Sequence, residues 1–219
     1  MLFLSLLYIF DKPVKYKDEN GKIKDKKTAL SSSVDKAEYQ ADYQYVAKYN
    51  DIKTYFPKQL DGKKGVVTEL GEHTLSMKPV VKANEKAPQP ASVAPQPAAQ
   101  KKAVTGGQKE AVEYPGVFGA DTVLRYTPTL DGVKEDLILM KHPGQHTFSF
   151  ELDVGGLEAR LQGSEVEVFD PQTNETAFTF SPIYVYDSGE EEHSTTNNQY
   201  ELVKLDKNGL YQVNLIVDK

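Results

Sequence analysis

Apolar and polar residues alternate with a period of two along much of the chain after residue 113. In Thr147-Phe148-Ser149-Phe150-Glu151-Leu152 the residues Phe148, Phe150 and Leu152 fall on one face, and in Tyr211-Gln212-Val213-Asn214-Leu215 so do Tyr211, Val213 and Leu215. Successive side chains of a strand point to opposite faces, so this spacing predicts half-buried strands with those residues in the core. Further strands are predicted at 122–126, 136–140, 157–161, 165–169, 177–180, 183–186 and 200–205. Turn signals separate them: Asp131-Gly132, Pro143-Gly144, Gly155-Gly156, the run from Asp170 to Glu175, and Asn208-Gly209. Asn208-Gly209 suits a primed two-residue turn, because both residue types tolerate positive φ. Short strands at this spacing predict a mainly β protein whose residues 113–219 form an antiparallel β-sandwich.

The first 82 residues carry a weaker version of the same signal. Val14 and Tyr16 precede Asp18-Glu19-Asn20-Gly21, and Ile23 follows, which predicts a hairpin. Residues 51–56 read as a strand, and Gly71-Glu72 between Val66-Val67 and Leu75 marks a second hairpin. The stretch 37–46 fits either period and is left open between strand and short helix. A segment of this size with so few apolar positions makes a marginal core alone, so residues 1–82 are expected to be a small β-rich unit that packs against something else.

Two stretches depart from the alternation. The opening MLFLSLLYIF is too short to span a bilayer as a helix and has neither a basic start nor a small-residue cleavage site. A strand is the preferred reading, with a secretory signal or a truncated or mis-started N-terminus as alternatives. Residues 83–112 contain Pro88, Pro90, Pro95 and Pro97 among Ala, Gln and Lys, a composition that favours a flexible Pro/Ala/Gln-rich linker.

Charge sharpens this division. Residues 1–82 hold 15 Lys against 11 acids, and residues 111–219 hold 7 Lys and Arg against 19 acids. An acidic C-terminal part opposes nucleic-acid binding, which needs clustered cations. The chain has no cysteine, which removes disulfides, thiolate metal sites and thiol catalysis together.

Candidate chemistry is sparse. His142 and His146 have the spacing of helical metal ligands, but Pro143 and Gly144 between them oppose a helix, and a hairpin turn is the preferred reading. Asp187, Glu190, Glu191 and Glu192 concentrate oxygen ligands in one loop, a candidate calcium site whose order departs from an EF-hand. The preferred reading is a solvated acidic loop, with no cofactor expected. Acid–base catalysis needs a carboxyl held in an apolar pocket, and no acid stands out inside an apolar run. Tyr184 and Tyr186 alternate with Val185, so a strand there presents both rings on one side, as a sugar-binding face would. The competing reading makes them amphipathic sheet residues at the core edge.

The stretch EYPGVFGADTVLRYTPTLDGVKEDLILMKHPGQHTFSFELDVGGLEARLQ, continued by EVEVFDPQTNETAFTFSPIYVYDS and LYQVNLIVD, resembles the N-terminal region of large Firmicute wall-associated proteins with a DNRLRE domain and often RHS (YD) repeats. PVKYKDENGKIKD and DIKTYFPKQL are similar to the segment preceding it in those proteins. Such proteins run on into a DNRLRE domain that this sequence does not reach, so the resemblance implies a fragment or truncated product. It further implies a secreted or cell-wall setting and a non-enzymatic structural or presentation role. The partners expected are the remainder of a larger parent protein or cell-wall components, with no nucleic acid and no transmembrane span. A carbohydrate-binding sandwich recognising wall polysaccharide is the alternative.

Overall fold

The computed structural model describes residues 2–7, 14–81, 91–93, 110–141, 144–187 and 197–217, of which 2–7, 91–93, 186 and 187 are described by backbone alone. In chain order, β1 spans Leu2–Leu7, β2 Lys15–Lys17 and β3 Ile23–Asp25. They are followed by α1 (Ala37–Gln40), β4 (Tyr43–Ala47), β5 (Ile52–Pro57), β6 (Val66–Leu70), β7 (His73–Pro79) and β8 (Ala91–Val93). The remaining strands are β9 (Ala111–Pro115), β10 (Thr122–Thr129), β11 (Gly132–Leu139), β12 (Thr147–Asp153), β13 (Glu158–Gln162), β14 (Glu165–Phe169), β15 (Thr176–Phe180), β16 (Tyr184–Asp187), β17 (Gln199–Lys204) and β18 (Leu210–Ile216).

The fold is mainly β and antiparallel, with sandwich-like sheets. A seven-stranded sheet runs β17-β18-β12-β7-β6-β5-β4, and a six-stranded sheet runs β16-β1-β11-β10-β9-β8. A three-stranded sheet β13-β14-β15 and the β2-β3 hairpin complete it. The two large sheets contribute to one buried core. Phe148, Phe150 and Leu152 of β12 enter it with Leu124 and Tyr126 of β10 and Leu137 and Leu139 of β11. The Phe56 and Tyr126 rings, one from each sheet, lie 6.0 Å apart between centroids. Burying each large apolar side chain contributes about 1.5–3 kcal/mol, which makes this layer the main source of stability.

The segments on either side of the Pro/Ala run share that core. β7 pairs with β12 through Phe150↔Pro79 to Asp153↔Ser76, so strands from residues 1–82 continue a sheet completed by strands from 113–219. The boundary at 83–112 therefore marks a change in composition and not a break between sheets. Within it, β8 and the first two residues of β9 are paired strand, and 83–90 and 94–109 lie outside the described residues. The opening apolar stretch supplies β1, which lies between β11 and β16.

The ambiguous stretch 37–46 divides into the single helical turn α1 and the strand β4. So short a helix has no intrinsic stability, and tertiary contacts hold it. The Tyr39 ring packs 4.4 Å from Tyr55 and 5.0 Å from Tyr43 between centroids. With Val34, Val46 and Val67 these residues make a second cluster on the outer face of the seven-stranded sheet. β5 is thus covered on both faces: Phe56 points into the main core and Tyr55 into the second cluster.

The Asn208-Gly209 expectation requires correction. Gly209 has φ 93°, but Asn208 does not share a positive φ, so the connection is not a primed two-residue turn. The Asp206 carboxylate accepts hydrogen bonds from the amides of Asn208 (2.8 Å) and Leu210 (3.0 Å) and draws the chain into a longer loop.

Candidate functional site

Beneath the β2-β3 hairpin, the outer face of the seven-stranded sheet opens into a cleft of about 660 Å³. Its cationic lining is Lys17, Lys24, Lys36, Lys48 and Lys53. Its acidic lining is Asp18, Glu19, Asp35, Asp51 and Glu69, so the formal charges of the wall cancel, five against five.

Local structure places these groups. In the hairpin turn, Asp18 accepts the amides of Asn20 (3.0 Å) and Lys22 (2.8 Å), as the sequence Asp-Glu-Asn-Gly favours. Its other oxygen meets Lys24 Nζ at 2.7 Å. These contacts, Lys24 first and the Lys22 amide next, hold Asp18 below the usual carboxylate pKa. Asp35 lies 3.1 Å from Lys53 Nζ and accepts from the Tyr55 hydroxyl at 3.2 Å. Burial pushes the Asp35 pKa up, but Lys53 and Tyr55 outweigh it and the net shift is downward.

Glu69 accepts from Lys36 Nζ at 2.7 Å and from the Tyr39 hydroxyl at 2.9 Å. Burial, and then that hydrogen bond to an anion, drive the Tyr39 pKa well above its ordinary value. Burial similarly pushes Tyr43 up to about 12. At the floor, Asp51 meets the fully buried Lys26 ammonium at 3.0 Å. Asn50 donates from Nδ2 to the carbonyl oxygens of Leu130 (2.8 Å) and Thr129 (3.3 Å).

This arrangement suits hydrogen bonding better than proton transfer. Asp18 and Asp35 are stabilised as anions, and the tyrosines with shifted pKa values as neutral phenols. Among the described residues, no group of three or more His, Asp or Glu could hold a metal ion.

The residues singled out by sequence lie elsewhere. Tyr184 is 51% exposed on β16, at one end of the six-stranded sheet, and Val185 beside it is buried. Tyr186 pairs by backbone with Phe3, and Asp187 with Leu2. The side chains of Tyr186 and Asp187, and all of Glu190, Glu191, Glu192 and His142, lie outside the described residues. The His146 carbonyl accepts the amide of Val217 at 2.8 Å.

Reading the sequence for an acid inside an apolar run passed over Glu135, which is 1% exposed. It lies on the same face of β11 as Val133 and Leu137, which both belong to the main core. Its Oε2 has no hydrogen-bond partner among the described residues. Burial raises its pKa to about 8, against a pull downward from the Tyr126 hydroxyl and a push upward from Asp136. Asp136 itself pairs with Lys134 Nζ at 2.9 Å. The sequence signal was available in Val-Lys-Glu-Asp-Leu-Ile-Leu, where alternation from Val133 through Leu137 places Glu135 on the apolar face.

No family model, curated protein or solved structure matches this chain. The class that fold and site define is a mainly β, antiparallel, sandwich-like protein bearing a charge-balanced cleft.

Proposed function

We propose that this chain is a non-catalytic structural or presentation module of a larger secreted or wall-associated bacterial protein. The observation that carries the reading is the pairing of charge in the cleft. Asp18, Asp35, Asp51 and Glu69 each face a lysine ammonium at 2.7–3.1 Å, an arrangement that fixes the shape of the wall. The sheet shared by the two segments supports it too, since a continuous ladder suits a rigid spacer. The likeness of residues 113–188 and 210–218 to the N-terminal regions of DNRLRE and RHS proteins supports the setting, and the parent protein or the wall supplies the partners.

The test is twofold. Fractionation of the source cells with an antibody to this chain should place it in the wall or medium, and the purified chain should leave wall glycan and peptide substrates intact. Ordinary enzymatic turnover, or retention in the cytosol, would overturn the proposal.

A second reading, a module that binds wall polysaccharide, is favoured by the exposure of Tyr184 next to buried Val185. Tyr184→Ala should then release the chain from insoluble wall glycan, and undiminished retention counts against this reading.

A further inference from the structure

The six-stranded sheet is completed by a strand from a distant part of the chain. Among the described residues, β1 is the one strand from 2–81 in that sheet; the others lie in the seven-stranded sheet or the β2-β3 hairpin. It pairs with β11 from Leu2↔Leu139 to Leu7↔Lys134, and with β16 from Leu2↔Asp187 to Ser5↔Tyr184. In the sheet order β11 and β16 meet only through β1, and β16 has no other neighbour there. Withdrawing residues 2–7 would bare the backbone groups of β16 and one edge of β11, beside the core residues Leu137, Leu139 and Val185. An empty slot is thus a costly state, and a strand must fill it.

The fit is uneven along β1. Leu2 and Leu4 stand opposite Leu139 and Leu137, and Leu4 also stands opposite Val185, all three of them core positions. Ser5, Leu6 and Leu7 instead stand opposite Asp136, Glu135 and Lys134. Glu135 and Asp136 are buried there, and Glu135 Oε2 has no hydrogen-bond partner among the described residues. A buried carboxyl oxygen without a partner burdens this end of the ladder, which is where opening would begin. The same six residues from a second copy would find the same register on both sides. Exchange therefore keeps every pairing of the monomer and gives up only the independence of two chains. Seven peptide steps separate Leu7 from Val14, a reach of at most about 25 Å, so the two copies must lie side by side.

We propose that β1 is an exchangeable strand: residues 2–7 of one copy enter the slot between β11 and β16 of a second copy, and reciprocally, giving a strand-swapped dimer. The occupant is fixed by the slot, which is matched on both flanks to this segment of the same chain. The proposal goes beyond the scaffold reading, which sets no oligomeric state, and it uses neither localisation nor glycan binding.

The chain has no cysteine, so introduced thiols report the exchange without background. Directly opposed residues of antiparallel strands lie about 4.5–5.5 Å apart between Cα atoms, within disulfide reach. The double variant Ser5→Cys/Tyr184→Cys, oxidised while dilute, should close its disulfide within one chain. The single variants Ser5→Cys and Tyr184→Cys are next mixed at high concentration, warmed to just below the melting temperature, cooled, diluted and oxidised. Their disulfide-linked heterodimer should exceed about tenfold the yield from Ser5→Cys mixed with Val203→Cys, an exposed position on the other large sheet. The unsubstituted chain treated in the same way should give a dimer on size exclusion that outlasts dilution, because its return to monomer requires the same opening. Equal yields from the two mixtures, an unsubstituted chain that stays monomeric, or a double variant that stays reduced would each overturn the proposal.

Discussion

Glu135 on β11 stands directly opposite Tyr126 on β10, and both side chains are 1% exposed. A glutamate whose folded pKa is raised keeps its proton in the fold while the unfolded chain releases it. Its contribution to stability therefore falls as pH rises from about 4.5 to about 8 and is level beyond that. Asp18, Asp25, Asp35 and Glu167 act oppositely: held below their ordinary values, they stabilise the fold above those values and cease to do so as pH falls through the lowered ones. The melting temperature measured by circular dichroism should thus decline on the order of 10 °C between pH 5 and pH 8.5. Glu135→Gln should flatten that decline and melt higher than the parent at pH 8.5. A parent chain with no decline over this window would show that Glu135 is solvated.

Tyr114 offers a simpler deletion. It is fully buried, and its hydroxyl donates to the Pro57 carbonyl at 2.8 Å, joining β9 of one large sheet to β5 of the other. Tyr114→Phe leaves that carbonyl unmatched, at a cost of about 1–3 kcal/mol. Urea denaturation should show a lower midpoint with an unchanged slope, because the burial on folding stays nearly the same.

Where a strand has one covered face, its position was readable from sequence. β10 alternates buried and half-buried along its whole length, and Phe148, Phe150, Leu152, Tyr211, Val213 and Leu215 are all in the core as the period of two requires. β5 was placed as a strand, but Ile-Lys-Thr-Tyr-Phe-Pro does not announce that both faces are covered, because the cover comes from residues 34–40. Neighbours across a sheet were less legible still. The β7-β12 pairing joins residues about 70 positions apart, and local periodicity carries no record of such a contact. The cleft was hidden for the same reason: its charges are scattered from Lys17 to Glu69 and meet only through the sheet order. Glu135 was missed by a rule about uninterrupted apolar runs, when the relevant neighbours were Val133 and Leu137, two positions away on either side.

Gly65 precedes β6 at a point where only a hydrogen side chain fits. A Cβ there would lie 2.5 Å from the Met77 carbonyl oxygen and 2.7 Å from its carbon, both backbone atoms that cannot rotate aside. The same glycine presents its own carbonyl to the Tyr43 hydroxyl at 3.2 Å, so displacement disturbs the second cluster as well. Gly65→Ala should destabilise by about 2 kcal/mol or more, whereas Gly71→Ala meets no atom within 4 Å and bears only the strain of its positive φ, 61°. Thermal melts of the two variants should separate in that order, and equal losses would count against the close approach of β6 and β7.

The β7-β12 ladder also fixes how the chain should respond to being cut. Suppose a specific protease site is placed between residues 94 and 109 and cleaved after folding. The N-terminal fragment then keeps β4 to β7, and the C-terminal fragment keeps β12, β18 and β17, which continue the same sheet. Separating them would expose the edges of β7 and β12 and open the layer containing Phe56, Met77, Phe150 and Tyr126. Leaving so much apolar surface and so many backbone groups unpaired is costly, so the fragments should co-elute on size exclusion and melt in one transition. Phe150→Ala should lower that single transition by about 3–5 kcal/mol, and so affect both fragments together. Two independent transitions, or elution of the C-terminal fragment alone with its native circular dichroism, would mean that the C-terminal strands hold a core without β7.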